Sequence, residues 1–313
     1  MFAPAQALTL AAISLQSGGT VLYSAFLAEL HAAQYLFFSL LLTAAVCLVL
    51  SRGRMPPRGR GALLLVNGLT ALSFGGFYFA LRYLPPAVVG AMDMGIAVLV
   101  SMAMEAGGRR AMPARSRVVC ATGIGVACLF MGWTAWEHLL AHPAVGSILS
   151  PLAGCVASGI GSGWGAQTSK RMHGLGWSPQ AVLAHRFHLP LVLALLWGYC
   201  EAPSVAPVSV GAGLAIAAVG AACVLAPQLL LQRALSSARP GSVLATMALQ
   251  PAIAYGCSLL KTDYAWHAPT FVAVMLLSVS VALDIRLGAS AQGSAGKEGH
   301  GALEDEVGLA TSP

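Results

Sequence analysis

Four ionisable residues stand deep inside stretches of this chain that otherwise hold little but apolar side chains: Asp93, His185, Arg186 and His188. Such groups are costly at bilayer depth unless they are paired or face a wet cavity, so each is a candidate for function. Asp93 lies seven residues into the apolar stretch 86–104, ~10 Å from its start at 1.5 Å per helical residue. It either titrates a proton or binds substrate on a central cavity, or it is a structural carboxylate bonded to a neighbouring helix. His185 and His188 are three apart and share a helix face. They could relay protons, since imidazole titrates near neutrality, or pack with a ring N–H satisfied locally. Arg186 points about 100° away from His185 and lies ~12 Å from the start of its own stretch. It either snorkels back to lipid headgroups or enters the cavity, where its planar fork could hold a carboxylate. In the second case Asp93 and Arg186 differ in depth by ~8 Å across a ~30 Å core. That separation suits the two ends of a small zwitterion such as an amino acid, and equally an ion pair in the empty protein.

Further polar or helix-breaking residues could line the same cavity: Gln16, Asn67, Tyr78, Trp164, Gln167, Pro227, Gln228, Gln250 and Pro251. Taken singly, each is as well explained by helix packing. As a set they favour a wet centre, because proline frees a backbone carbonyl that is tolerated where it faces water or substrate. The stretch 147–168 carries Gly154, Gly159, Gly161, Gly163 and Gly165. Gly159/Gly163 and Gly161/Gly165 fit the small-xxx-small spacing that lets helices approach closely, and the same glycines could let the helix bend.

The elements that must position these groups are ten apolar stretches of near-spanning length: 7–28, 33–50, 61–81, 86–104, 118–134, 147–168, 178–200, 209–231, 241–260 and 269–287. A crossing needs roughly 20 mostly apolar residues. The basic residues alternate between gaps. One set holds Arg52, Arg54, Arg58 and Arg60; Arg109, Arg110, Arg115 and Arg117; Lys170 and Arg171; Arg233 and Arg239; Arg286 and Lys297. The other gaps hold only Arg82 and Lys261. Basic loops stay in the cytoplasm, so this alternation predicts ten crossings with both termini cytoplasmic, in a cell inner or plasma membrane.

Composition agrees. Apolar residues make up 57% of the chain and charged residues 9%, where soluble domains average about 25% charged, so lipid must cover most of the surface. The net charge of +6 is accounted for by loops facing anionic headgroups, and no nucleic-acid partner is expected. Nothing basic precedes the first apolar run, which continues beyond signal-peptide length, so the first helix is expected to remain as an anchor. The seven cysteines are scattered singly, with no C-x-x-C pair and no histidine at ligand spacing. They read as small apolar residues, and neither disulfide, metal nor cofactor is expected. From Gly288 onward the chain turns to Gly, Ala and Ser and then Glu304, Asp305 and Glu306, which predicts a disordered cytoplasmic tail.

The chain also echoes itself. FALRYLPPAVVGAMDMGIAVLVSMAME (79–105) and LLQRALSSARPGSVLATMALQPAIAYGCSLL (230–260) each read as a helix end, a turn with Arg and Pro, and a small-residue helix with a polar or breaking position inside. Five stretches separate the two, and an odd number inverts the second copy, as in many secondary transporters. These phrases resemble the paired signature regions of the drug/metabolite transporter superfamily, in particular its EamA-type branch. The likeness covers 7–287 in layout and about 60 residues in motif. Where that family commonly has Glu-Pro, this chain has Gln250-Pro251 in the second half, and Asp93 and Gly95 near the matching place in the first. A shorter likeness joins SLQSGGTVL (14–22) to the first helix of threonine/homoserine-type exporters of the same superfamily. The resemblance implies an all-α membrane protein of two inverted five-helix repeats, 1–134 and 135–287, followed by the tail 288–313.

A secondary transporter is therefore the expected function. No G-x-x-x-x-G-K-[ST] phosphate loop is present, so energy must come from a proton gradient, an exchanged solute or the substrate's own gradient. Few buried charges favour a small neutral or zwitterionic metabolite, amino-acid-like or drug-like, and efflux is the habit of the family resembled. The partners expected are that solute and the bilayer, with a homodimer left open. The competing classes are a passive channel and an intramembrane hydrolase. For the latter Gly161-Ser162-Gly163 is suggestive, but Ile160 stands where such a motif wants glycine.

Overall fold

The computed structural model describes residues 4–26, 32–106, 114–141, 149–201, 210–259 and 267–287. Among them every regular element is helical: α1 (Pro4–Phe26), α2 (Ala32–Leu50), α3 (Arg60–Leu81), α4 (Pro86–Glu105), α5 (Ala114–Ala141), α6 (Leu149–Gly174), α7 (Pro179–His185), α8 (His188–Cys200), α9 (Val210–Gly220), a π-helical turn (Ala221–Leu225), α10 (Ala226–Ser237), α11 (Pro240–Met247) and α12 (Gln250–Leu259). The last is α13 (Ala268–Leu287). Arg109, Arg110, Lys261 and the tail with Lys297, Glu304, Asp305 and Glu306 lie outside the described residues.

Seven helical runs are long and apolar enough to cross a membrane: Ala33–Leu50, Arg60–Leu81, Pro86–Glu105, Arg115–Leu140, Pro179–Cys200, Gly213–Ser237 and Ala268–Leu287. This is the make-up of a multi-pass membrane protein. Large apolar side chains stand outward on these helices, Leu64 and Leu129 more than three-quarters exposed, as a lipid-covered surface requires. The remaining stretches read from the sequence are helical too, but fall short of that standard for visible reasons. Gln16-Ser17-Gly18-Gly19 dilutes α1, glycine and serine dilute α6, and the stretch 241–260 is divided into α11 and α12.

Proline explains where the helices start and where they deform. Pro86, Pro179 and Pro240 occupy first helical turns, where a missing N–H costs nothing. Ser178 caps α7 by accepting a hydrogen bond from the Ala181 N–H (3.2 Å). Inside a helix, proline withholds a hydrogen bond from the carbonyl four residues back and crowds it. Pro190 does this to Arg186, and the chain breaks between α7 and α8 there. Pro227 does it to Cys223, in the middle of the π-helical turn. Pro251 does it to Met247, the last residue of α11. All three distortions fall in the second half of the chain, whereas α4 runs unbroken.

The helices interlock in a regular way. α6 packs against α3 and α4, and α1 against α10, α11 and α12. α2 packs on α7, α8 and α9, α3 on α8, and α4 on α5, α11 and α12. Glycine makes the α6 contacts close. A Cβ placed on Gly159 would stand 2.8 Å from the Asp93 carbonyl oxygen of α4, and one on Gly163 2.6 Å from that of Ala97. One on Gly161 would stand 2.6 Å from the Leu69 carbonyl oxygen of α3. The spaced glycines thus serve two neighbours, Gly159/Gly163 facing α4 and Gly161 facing α3, while Gly165 makes only ordinary contact with Leu69. Between the helices lies a continuous apolar core that includes Leu40, Ile124, Leu183, Phe187, Ile216 and Leu277, all fully buried.

Candidate functional site

The close approach of α6 to α4 carries two serines to Asp93. Ser158 and Ser162 are four apart on α6 and share a face. Asp93 is buried, and its Oδ1 accepts hydrogen bonds from Ser158 Oγ at 2.6 Å and Ser162 Oγ at 3.2 Å. Ser162 Oγ also meets Ser73 Oγ of α3 at 2.8 Å. Side chains this short span the gap only because Gly159, Gly161 and Gly163 remove the Cβ atoms that would hold the helices apart. A buried carboxylate is kept by such charge-assisted bonds.

Asp93 is also on the wall of a small, partly open cavity of about 80 Å³. Gln16 and Gly19 of α1, Tyr35 of α2, Phe74, Phe77, Tyr78 and Leu81 of α3, and Met94 of α4 line it. So do Ser162 of α6, Cys223 and Val224 of the π-helical turn, Gln228 of α10 and Met247 of α11. Proline shapes this wall twice, since the turn distorted by Pro227 supplies Cys223 and Val224, and Met247 ends α11 at the break made by Pro251. The aromatic side is continuous: the Phe74 and Tyr78 rings stack at 6.3 Å and Tyr78 meets Tyr35 at 5.9 Å. The cavity offers one carboxylate, two amides, phenol and serine hydroxyls and aromatic faces, with no basic side chain among its lining residues. Such a set suits a solute that brings its own amine and a modest apolar body.

Of the residues singled out in the sequence, Asp93, Gln16, Tyr78 and Gln228 come together here. Arg186 does not line this cavity. It sits half-buried at the α7–α8 break, where its Nε donates to Thr70 Oγ1 of α3 at 3.0 Å and its guanidinium lies 5.5 Å from the Phe187 ring centre. The zwitterion clamp between Asp93 and Arg186 is therefore not assembled in this conformation. Phe187 in turn meets the cavity-lining Phe74 edge-on at 6.0 Å, so one aromatic ring stands between the arginine and the cavity wall.

Asn67 serves the break rather than the cavity. Its Nδ2 donates to the His185 carbonyl (2.8 Å) and its Oδ1 accepts from the Leu189 N–H (3.1 Å), two backbone groups left over where α7 stops and α8 starts. The same Nδ2 reaches Leu63 O at 3.0 Å. His185 is buried, with Nδ1 at 3.3 Å from Nε2 of the exposed His188. Its ring stands edge-on to Trp177 at 6.1 Å, and its Nε2 has no hydrogen-bond partner among the described residues. Neither histidine lines the cavity.

Trp164 and Gln167 line a different cleft, where α3 begins and α4 and α6 end. Gln167 still faces α4, but nearer its end, where its Nε2 donates to Ser101 Oγ (2.8 Å) and Glu105 Oε1 (2.7 Å). Gln250, Pro227 and Pro251 are buried but absent from the cavity lining. The Gln250 carbonyl accepts from Ser17 Oγ of α1 at 3.2 Å, and its side-chain Oε1 has no partner among the described residues.

Several residues of the site escaped sequence reasoning: Ser158 and Ser162 as partners of Asp93, Tyr35, Phe74 and Cys223 on the wall, and Glu105. The serine pair had a signal, two hydroxyls at four-residue spacing on a glycine-rich helix, but nothing local names the helix they face. Glu105 ends α4 and gathers three donors on Oε1: Gln167 Nε2 (2.7 Å), the Gly241 N–H (2.9 Å) and Ser101 Oγ (3.3 Å). Gly241 lies in the first turn of α11, where a carboxylate is favoured by the helix dipole.

No family model and no curated protein matches this chain. Solved structures do share its architecture. One, described only as "Crystal structure of protein", is similar over 92% of this chain and 98% of its own, with a TM-score of 0.65 and 17% identity. At that identity the likeness shows the fold alone.

Proposed function

We infer that this chain is a secondary active transporter of the drug/metabolite superfamily, EamA-like, that moves a small neutral or zwitterionic solute by alternating access. The observation that carries the reading is Asp93, buried and hydrogen-bonded, on a cavity lined by α1–α4, α6, the π-helical turn, α10 and α11. Discontinuous helices around a central site are a recurrent feature of transporters, and three spans here are distorted by proline.

Ten crossings in two inverted five-helix repeats, 1–134 and 135–287, are supported by the packing pattern. The sixth stretch (α6) lies on the third and fourth (α3, α4), as the first (α1) lies on the eighth and ninth (α10; α11 and α12). Adding or subtracting five converts one set of contacts into the other, as exchange of two like halves requires. In this reading both termini are cytoplasmic, and the end of the bundle holding Arg60 and Arg171 faces the cytoplasm. Glu105 then closes the cytoplasmic side by tying the first half to Gln167 and α11 of the second.

The substrate's amine would lie at Asp93 and its apolar body against Tyr35, Phe74 and Tyr78. Efflux follows the habit of the family resembled, and proton coupling, one of the three driving forces open to such a chain, would run through Asp93. An intramembrane hydrolase would need Ser162 on a histidine, and its hydroxyl is bonded to Asp93 and Ser73 instead. The test is flux of labelled amino acids and small amines into proteoliposomes, with and without a pH gradient, for wild type, Asp93→Asn and Arg186→Gln. Asp93→Asn should abolish gradient-driven flux of the transported solute, and unaltered flux of every solute in both variants defeats the site.

A further inference from the structure

We propose that the cleft between the α3 start and the α4 and α6 ends is a binding groove for one anionic phospholipid of the inner leaflet. The groove is open at the side, and its chemistry changes along its length. Arg60 and Arg171 stand at one end, both exposed and neither with a side-chain hydrogen bond or ion pair among the described residues. Leu65, Met104 and Trp164 continue it as apolar surface, each more than a third exposed. Trp164 lies seven residues before Arg171 on α6, which is ~10 Å along the helix axis. A groove with two free guanidinium groups at headgroup level and an apolar floor one to two turns deeper matches a molecule with a phosphate and an acyl chain. A free phosphate has no use for the floor, and a neutral lipid no use for the arginines.

Basic pockets between membrane helices on the cytoplasmic side are suited to anionic headgroups, and a tryptophan near that level is favoured at the interface. The α3 start adds to this without being needed for it, because Gly59 precedes α3 with no side-chain cap on the first N–H groups. The inference rests on the topology given above only in placing this end of the bundle in the inner leaflet.

The experiment is lipid retention, read by native mass spectrometry of the full chain released from micelles doped with phosphatidylglycerol or phosphatidylcholine. Wild type should keep one phosphatidylglycerol, and the Arg60→Gln/Arg171→Gln variant should bind it about 30-fold more weakly, at roughly one unit of lipid-attraction energy per arginine. Arg52→Gln, on the same end but outside the cleft, should behave as wild type. If the double variant is poorly folded, Arg60→Lys/Arg171→Lys keeps the charge and should keep the lipid. Equal retention of phosphatidylglycerol by wild type and the double Gln variant overturns the proposal, as does equal retention of phosphatidylcholine. Competition by millimolar glycerol 3-phosphate also overturns it, in favour of a soluble phosphate ligand. Because no flux is measured, failure here leaves the transport reading intact, and absent flux in proteoliposomes leaves lipid retention intact.

Discussion

Ser158 on α6 donates a 2.6 Å hydrogen bond to Asp93 on α4, and the two helices come near enough for it because Gly159 follows the serine. One turn on, Ser162 repeats the contact at 3.2 Å and links it to Ser73 of α3. The carboxylate is thus held by a helix of the second half while facing a cavity shared by both. In the transport reading, a movement of α6 relative to α4 would change the hydration of Asp93 and the shape of the cavity together, which is what coupling of a charge to alternating access needs.

Asp93→Asn keeps an acceptor for Ser158 but loses the charge on it. The hydrogen bonds then become neutral ones, at a cost of about 1 kcal/mol, so the protein should still fold. Transport of an amine-bearing solute should fall at least about tenfold, the equivalent of ~1.4 kcal/mol. A melting curve in detergent beside a flux assay separates the two effects. Ser158→Ala should slow flux less, because Ser162 remains. Wild-type flux in Asp93→Asn, at any pH gradient, is the result that removes Asp93 from the mechanism.

Gly159→Ala and Gly161→Ala each drive a methyl group into backbone of a neighbouring helix, Asp93 O in the first case and Leu69 O in the second. Backbone cannot rotate aside, so the helices must separate, and overpacking of this kind costs about 1–3 kcal/mol. Both variants should melt several degrees below wild type. Gly125→Ala on α5 is the control, because its Cβ meets nothing within 4 Å, and it should melt like wild type. Gly159→Ala should also weaken transport out of proportion to its stability loss, since it parts Ser158 from Asp93.

How far the chain could be read unaided is clearest at two positions. The apolar stretch 86–104 and its aspartate were visible as a costly charge in a span, and α4 (Pro86–Glu105) carries Asp93 buried at the cavity. That inference needs only hydropathy and length. Arg186 was equally visible as a charge within a span, but its direction was not. Across the α7–α8 break His185 and His188 still meet, at 3.3 Å, but which helix the arginine between them reaches, α3 through Thr70, is set by tertiary packing. Pro190 was in plain sight as the cause of the break. Trp164 shows a different limit, since its position on α6 is right and only the neighbouring helices decide which cleft it lines. Pairings such as Ser158 with Asp93, 65 residues apart, are set by tertiary packing and leave no local trace.

Asn67 is expected to behave as a structural residue. Asn67→Leu strands the His185 carbonyl and the Leu189 N–H at the helix break, and a buried unsatisfied polar group costs about 1–3 kcal/mol. Asn67→Asp restores an acceptor for Leu189 but sets an anion against the His185 carbonyl oxygen, where the amide had donated. It should therefore be at least as damaging as Asn67→Leu, although it is the more similar side chain. Thermal unfolding in detergent ranks the three proteins. A wild-type melting temperature in Asn67→Asp contradicts the bridging role.

In the transport reading, Glu105 is expected to govern whether the cavity opens at the arginine-rich end. Its Oε1 holds the first turn of α11 through Gly241 and the α6 side chain Gln167, and hydrogen bonds to a charged group are worth about 1.5–3 kcal/mol. Removing them in Glu105→Ala should raise the population open at that end by about 10- to 100-fold. Cys223 reports this, because it lines the cavity and is a half-buried free thiol. With the other six cysteines replaced, a membrane-impermeant maleimide applied from the cytoplasmic side should label Cys223 faster in Glu105→Ala than in the parent. Glu105→Gln retains an acceptor for Gly241 and should fall between the two. Labelling from the opposite side should slow in the same variants, because a protein open to one face is closed to the other. Equal labelling rates on both sides, with or without Glu105, would mean that the carboxylate caps a helix and does nothing to gate it.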